Sequence, residues 1–216
     1  MSWIRRFVVL AGFVAPAAAQ DMTPEQLVQK ITNDVLAAVK SDKELAAGDK
    51  DKALKLAQEK VLPYVDFEYA TRLAVGRSWR QATPEQRKRL VEEFRNMLVR
   101  TYSNSIAAYE GQTLKVLPSR GERERKEGEA TVRTQFVRAG GQPLPIDFAM
   151  HRVDNAWKVY DITVEGISLV LTYRSEFDAI VRQQGIDGLI KALAQKNIPA
   201  AGIGASATTG GSAPKK

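Results

Sequence analysis

The chain has 216 residues, 44% of them hydrophobic and 26% charged, a balance typical of one globular domain with its own core. It contains no cysteine, which excludes a disulfide framework, a cysteine-based metal site and a thiol nucleophile. The formal net charge of +7 favours anionic surfaces in general. Because the charges are interspersed and no recognition motif accompanies them, we expect no nucleic-acid partner.

The first 19 residues have the three-part pattern of a secretory signal peptide. The basic start MSWIRR precedes the apolar run FVVLAGFV, and alanines at 17–19 supply small residues for a cleavage site. Eight apolar residues are too few to cross a bilayer. Arg5-Arg6 raises the twin-arginine export route, which the surrounding pattern fits poorly. We therefore expect cleavage and, without a cysteine to carry lipid, a soluble mature protein in the periplasm.

Two TPEQ tetrapeptides, at 23–26 and 83–86, mark the starts of two helices. In each, threonine is placed as N-cap, proline at the first helical position and glutamine to close a capping box. The helices predicted ahead of any strand span about 24–40, 49–61, 66–76 and 84–110.

The hydrophobic period then changes to two, which predicts strands. The predicted strands contain 114–116, 132–136, 146–151 and 157–164. Asp154-Asn155 is predicted to form a tight turn, and the short connections indicate an antiparallel meander. Two helices follow, one with a stripe from 169 to 181 that stops at Gly185 and one at 187–195. The plan is an α+β fold, a four-stranded curved antiparallel sheet covered by about six helices.

The chain divides into a signal peptide at 1–19, an α+β domain at 20–198 and a tail at 199–216. The glycine, alanine and serine content of the tail predicts disorder. The loop at 119–129 alternates charge, and we interpret it as a solvated hairpin tip, with a docking surface as the alternative. We expect a monomer, since no heptad seam argues for an obligate assembly.

Residues suited to catalysis or metal binding are few. His151 is the only histidine, and no HExxH or acidic cluster accompanies it, so we interpret it as a solvated or hydrogen-bonded strand residue. The chain has no G-x-S-x-G elbow, and its glycine pairs do not lie between a strand and a helix start. We therefore predict no catalytic set, no metal and no cofactor.

Two acids, Asp161 and Glu165, interrupt an otherwise apolar passage. Burial would raise a carboxyl pKa towards neutrality, so Asp161 with Tyr160, or Glu165, is a candidate general base. The structural interpretation is that Glu165 stabilises the N-terminus of the last long helix and that Asp161 pairs with an arginine or with strand ends. We favour the structural interpretation and keep the other open.

The segment GRSWRQA at 76–82 places a tryptophan between two arginines. Trp79 is interpreted as a packing anchor. Arg77 and Arg80 are expected to pair with an acid or, less strongly, to contact a partner or an anionic headgroup at a cavity mouth.

Four segments together resemble the MlaC/toluene-tolerance family of periplasmic phospholipid-binding components. They are WRQATPEQ at 79–86, WKVYDITVEGISLV at 157–170, YRSEF at 173–177 and GIDGLI at 185–190. With the signal peptide ahead of it, the resemblance covers roughly 24–195. The loop at 119–129 and the tail lie outside it.

The resemblance implies a lipid shuttle that supports outer-membrane lipid asymmetry and solvent tolerance. Its implied partners are phospholipid, an inner-membrane ABC transporter complex with a substrate-binding ring, and an outer-membrane lipoprotein–porin complex. The family's sheet and helices enclose an apolar cavity for acyl chains. Exposing the roughly 30 methylenes of a phospholipid to water costs on the order of 20–25 kcal/mol, so the acyl chains must be enclosed. We expect a pocket at or above the upper end of the range of roughly 300–1,000 Å³ that is usual for ligand pockets.

Mapped onto this sequence, the resemblance implies a set of apolar candidates for lipid contact, about half of which we expect to line the cavity. The candidates are Val65, Phe67, Leu73, Val75, Trp79, Phe94, Met97, Leu98, Tyr102, Ile106, Val132, Phe136, Ile146, Phe148, Val159, Ile162, Val164, Ile167, Leu171 and Phe177.

Two other function classes remain as alternatives. One is an enzyme on a similar cone-shaped fold that uses Asp161 or Tyr160 on a steroid-like substrate. The other is a periplasmic adaptor with a filled core and no ligand. Periodicity alone does not separate them from a carrier, because a packed core and a lipid pocket have the same pattern.

Overall fold

The structure, a computed structural model, describes residues 22–103, 113–118, 128–137 and 141–195. The predicted signal peptide, most of the charged loop and the predicted tail lie outside these residues, as does the end of the fourth predicted helix.

Six α-helices form within the described part of the chain. They are α1 (Pro24–Ser41), α2 (Lys43–Ala46), α3 (Lys50–Lys60), α4 (Phe67–Val75), α5 (Pro84–Tyr102) and α6 (Arg174–Ala194). Three 3-10 turns, Leu62–Tyr64, Gly76–Arg80 and Leu171–Tyr173, connect them to their neighbours.

Both predicted capping boxes are present at the starts of α1 and α5. Thr23 Oγ1 accepts from the Gln26 N–H at 3.2 Å, and Gln26 Oε1 accepts from the Thr23 N–H at 2.9 Å. The same pair of bonds joins Thr83 and Gln86. The short helix α2 was not predicted, because its four residues are too few to show a helical period.

The sheet has five strands in sequence order, each antiparallel to the next: β1 (Thr113–Val116), β2 (Glu129–Val137), β3 (Leu144–Val153), β4 (Ala156–Val164) and β5 (Ile167–Ser168). The antiparallel α+β prediction is confirmed, with one strand more than expected. Only two residues form β5, again too few to show a period.

Two tight turns flank β4. Asp154 and Asn155 have φ values of 47° and 63°, and this turn was predicted. Glu165 and Gly166 have φ values of 51° and 84°, so they form a second turn that pairs β4 with β5. The expected place of Glu165 at the start of the last helix was therefore wrong. Positive φ at both central residues suits the twist of a β-hairpin.

The two predicted C-terminal helices are both present and meet at a kink at Gly185 within α6. This glycine has φ 72° and ψ −177°, a conformation open almost only to glycine. The predicted stop at Gly185 therefore corresponds to a change of helix direction.

The buried side chains form two main clusters. The helical cluster joins α4, α5 and α6, and at its centre the Phe94 ring lies edge-on to Tyr173 and Phe177, at centroid distances of 5.6 and 5.3 Å. The sheet cluster packs Leu27 and Val28 of α1 on side chains of β1 to β4.

Candidate functional site

A cavity of about 440 Å³ lies between the sheet and the helices, and residues from both clusters line it. Its lining is mostly apolar. The lining residues on helices and turns are Ile31, Thr32, Val35, Leu36, Ala57, Val61, Leu62, Val65, Phe67, Ala70, Leu98, Val99, Tyr102 and Ser103. Those from the sheet onward are Phe136, Leu144, Ile146, Phe148, Val159, Tyr160, Asp161, Ile162, Val164, Glu165, Leu169 and Val170.

A β-bulge in β4 shapes the sheet side of the cavity. Val159 pairs with Met150 and Ile162 pairs with Phe148, so β4 carries an extra residue at this point. In a regular strand, residues three apart point to opposite faces. The bulge resets the alternation, and Val159 and Ile162 both line the cavity.

Asp161 is a buried carboxylate at the cavity wall, 8% exposed. Its Oδ2 accepts from the Ser168 hydroxyl at 2.5 Å, and its Oδ1 accepts from the Val170 N–H at 3.1 Å. Burial raises the pKa of the Asp161 carboxyl, and these hydrogen bonds partly oppose the rise. Both oxygens therefore hold neighbouring chain segments, as the structural interpretation expected of strand ends.

Tyr102 joins the cavity lining to the helical cluster. Its hydroxyl lies 3.3 Å from that of Tyr173, which is 1% exposed. Burial, followed by this hydrogen bond, raises the pKa of Tyr102. Tyr102 therefore contributes a neutral phenol to the cavity lining.

His151 lies in a cluster of rings beside α4. Its Nε2 is 2.8 Å from Asp66 Oδ2, and its ring centroid lies 4.5 Å from that of Tyr69 and 5.3 Å from that of Tyr160. The Arg72 guanidinium covers the Tyr69 ring at 4.4 Å. His151 is thus a hydrogen-bonded strand residue. Within the described ranges, no group of three or more His, Asp or Glu side chains is placed to hold a metal ion.

Ten of the predicted lipid-contact residues line the cavity: Val65, Phe67, Leu98, Tyr102, Phe136, Ile146, Phe148, Val159, Ile162 and Val164. Leu73, Val75, Trp79, Phe94, Met97 and Phe177 lie instead in or against the helical cluster, and Val132 lies in the sheet cluster. Ile106 lies outside the described residues.

The remaining predicted contacts lie at the surface. Ile167 and Leu171 are 51% and 45% exposed, on the segment that follows β4. Arg77 and Arg80 are exposed on the 3-10 turn Gly76–Arg80 and are not part of the cavity lining. Their contact with a partner or headgroup stays a prediction.

The lipid-contact residues predicted from the sequence include none from α1, although α1 contributes to the cavity. Ile31, Val35 and Leu36 line it, and a helical period shows only which face avoids water, not what covers that face. The four-residue spacing of Ile31 and Val35, which puts them on one face of a helix, was the sequence pattern that could have identified them.

In the part of the chain that the structure describes, no helix is long and apolar enough to cross a membrane.

Comparisons with known proteins agree with this architecture. The chain is 24% identical over 198 residues to the intermembrane phospholipid transport system binding protein MlaC of Haemophilus influenzae, covering 89% of this chain and 90% of that protein. It is 27% identical over 191 residues to the toluene tolerance protein ttg2D of Pseudomonas putida, covering 87% and 86%.

A solved phospholipid-binding protein from Ralstonia solanacearum, in complex with a phospholipid, has the same fold. The TM-score is 0.72 at 33% identity, covering 80% of this chain and 96% of that one. A profile described as MlaC protein matches residues 29–195. Because this match spans well over half of the chain, the protein belongs to the MlaC family.

Proposed function

We propose that the protein is a periplasmic phospholipid carrier that encloses acyl chains in the cavity between its sheet and its helices. The observation that carries the proposal is the cavity itself, about 440 Å³ with a mostly apolar lining. A relative with the same fold has been solved with a phospholipid bound, which supports the same class of ligand here.

The size and lining of the cavity suit an acyl chain. Its volume lies within the range of roughly 300–1,000 Å³ that is usual for ligand pockets, below the upper end that we expected for a whole phospholipid. Each methylene moved from water into such a space gains about 0.8 kcal/mol. Enclosing the chains and leaving the headgroup near solvent accounts for a deep apolar site with few polar groups.

The carrier would exchange lipid between an inner-membrane ABC complex and an outer-membrane lipoprotein–porin complex, and so support lipid asymmetry and solvent tolerance. The names of its relatives support an intermembrane route, and the signal-peptide pattern at 1–19 supports export to the periplasm. A carrier only equilibrates lipid, so the direction of net transport would come from ATP use and partner affinities.

The enzyme alternative is less well supported. A general base needs a free lone pair aimed at the substrate. The hydrogen bonds of the Asp161 oxygens run to Ser168 and Val170 of its own chain. A carrier function requires no bond to be broken.

Native mass spectrometry of the mature protein purified from the periplasm, followed by lipid extraction, tests the proposal. We expect stoichiometric phospholipid, whose headgroup and chain lengths the extract identifies. Bare protein that also takes up no lipid from phosphatidylglycerol vesicles would overturn the proposal in favour of an adaptor. Turnover of a steroid-like substrate that Asp161→Asn abolishes would favour the enzyme.

A further inference from the structure

One wall of the cavity is a short segment that follows β4, and we call residues 165–173 the wall segment. Leu169 and Val170 of this segment line the cavity. Ile167 lies two residues before Leu169, Leu171 directly follows Val170, and both are about half exposed. Since neighbouring residues contact the cavity and the solvent, the wall here is one chain thick.

Few backbone bonds hold the wall segment in place. It contains a turn, the two-residue strand β5 and the 3-10 turn Leu171–Tyr173. Beyond the pairing of β4 with β5, two backbone bonds attach it to the sheet: the Glu165 N–H donates to the Pro145 carbonyl at 3.1 Å, and the Leu169 N–H donates to the Ile162 carbonyl at 2.8 Å. Segments with so little regular structure open locally at a smaller free energy than the cores beside them.

The Asp161 side chain supplies two further attachments from β4. One oxygen accepts from the Ser168 hydroxyl and the other from the Val170 N–H. Ser168 Oγ in turn accepts from the Leu171 N–H at 2.9 Å, so the carboxylate also orients the start of the 3-10 turn. It therefore holds the wall segment at both ends of its cavity-lining residues.

We propose that Asp161 is the positioning residue of this wall and that its hydrogen bonds set how slowly bound lipid leaves the cavity. This inference rests on the proposed carrier function. The wall segment separates the cavity from solvent by a single stretch of chain, so its opening exposes the acyl chains and speeds their release. Removing the carboxylate leaves the buried Val170 N–H and the partly buried Ser168 hydroxyl without this acceptor, which favours the open state of the segment.

Both carboxylate oxygens of Asp161 act as hydrogen-bond acceptors, one for the Ser168 hydroxyl and one for the Val170 N–H. Asparagine is neutral, so its carbonyl oxygen accepts more weakly from the Val170 N–H. Its amide can only donate to the Ser168 oxygen, so the Ser168 hydroxyl proton loses its acceptor. Asp161→Asn therefore loosens the wall although its shape is nearly unchanged. Ser168→Ala removes one of the two bonds and the relay to Leu171, so its effect is smaller. Ser168→Thr keeps the hydroxyl and should restore slow release.

The test measures release of NBD-labelled phosphatidylethanolamine from loaded protein to excess phosphatidylcholine vesicles. We expect release to be about 10-fold faster for Asp161→Asn and about 3-fold faster for Ser168→Ala. Ser41→Ala is the matched control. The Ser41 hydroxyl donates to the Ala38 carbonyl of its own helix, α1, and Ser41 does not line the cavity. We expect its release rate to equal that of the unchanged protein.

A second control separates positioning from a general loss of stability. Leu193→Ala opens a gap in the helical cluster, where Leu193 is fully buried and does not line the cavity. If it speeds release as much as Asp161→Asn at equal loss of melting temperature, the inference is wrong. It is also wrong if folded Asp161→Asn and Ser168→Ala both release lipid at the original rate.

If Asp161→Asn fails to fold, the Ser168 variants decide the question. Faster release by Ser168→Ala, with slow release kept in Ser168→Thr, supports the inference, and unchanged release by Ser168→Ala contradicts it. Unchanged protein that never loads lipid contradicts the proposed function instead.

Discussion

His151 donates a hydrogen bond from Nε2 to Asp66 Oδ2 over 2.8 Å and thereby ties strand β3 to the start of helix α4. Asp66 is the N-cap of α4, where its other carboxylate oxygen accepts from the Tyr69 N–H at 2.9 Å. The Asp66 N–H itself donates to the Val159 carbonyl of β4. One residue therefore anchors a cavity-lining helix to two strands.

Replacing Asp66 with alanine should destabilise the protein by about 2 kcal/mol. Loss of an N-cap typically costs about 1 kcal/mol, and the bond to a partly buried imidazole adds a similar amount. Urea unfolding followed by circular dichroism measures the change. Asp49→Ala is the matched control, because Asp49 caps α3 through one bond to the Lys52 N–H. Equal losses for the two variants would show that the His151 bond contributes nothing.

A charge placed in the cavity should prevent lipid binding without unfolding the chain. Phe148 lines the cavity on β3 and is half-buried, so Phe148→Lys directs an ammonium group among apolar side chains. Desolvating it costs several kcal/mol. We expect lipid to be absent from this variant in native mass spectrometry.

Ala37→Lys is the control for that substitution, since Ala37 is exposed on α1 beside the lining residue Leu36. It should retain its lipid. Circular dichroism must show both variants folded. A folded Phe148→Lys protein that still carries phospholipid would remove Phe148 from the site.

The kink in α6 should depend on glycine at position 185. Gly185→Ala meets no atom within 4 Å, so any cost arises from the backbone, which holds φ at 72°. Such a conformation costs a residue with a Cβ about 1–3 kcal/mol. We expect that loss in urea unfolding. We expect Gly185→Asn to lose a similar amount, because asparagine tolerates positive φ mainly in the αL region and not at the ψ of −177° found here. An alanine variant as stable as the original chain would contradict the kink.

Local chemistry made much of this fold predictable. The two TPEQ sequences specify helix starts by side-chain bonds to their own backbone, and Asp154-Asn155 suits the positive φ of its turn. Two-residue β5 has no detectable period, and Glu165-Gly166 is compatible with a turn or with a helix entry.

The boundary between cavity and core was not predictable in the same way. Phe94 and Leu98 lie four residues apart on one stripe of α5, yet Phe94 is enclosed by Tyr173 and Phe177 while Leu98 lines the cavity. What separates them is the position of α6 and the sheet, set by contacts far away in sequence. Helical period reports only which face avoids water.

The pH dependence of stability should reveal the burial of Asp161. Burial raises its folded-state pKa above the ordinary value of 3.8, so between those two pKa values the folded protein holds this proton more often than the unfolded chain. The contribution of Asp161 to the free energy of unfolding therefore falls as the pH rises through that window. We expect the stability of the original protein, relative to Asp161→Asn, to be greatest at the acidic end and to decline towards neutral pH.

Urea unfolding at a series of pH values measures this difference, over the range in which unfolding stays cooperative. Asp42 provides a control of opposite sign, because its hydrogen bond with Lys52 lowers its pKa. Its contribution is present above the unfolded-state pKa and is lost as the pH falls. Stability relative to Asp42→Asn should therefore rise with pH. If the Asp161 difference also rose with pH, the carboxylate would be better stabilised by its hydrogen bonds than it is penalised by burial.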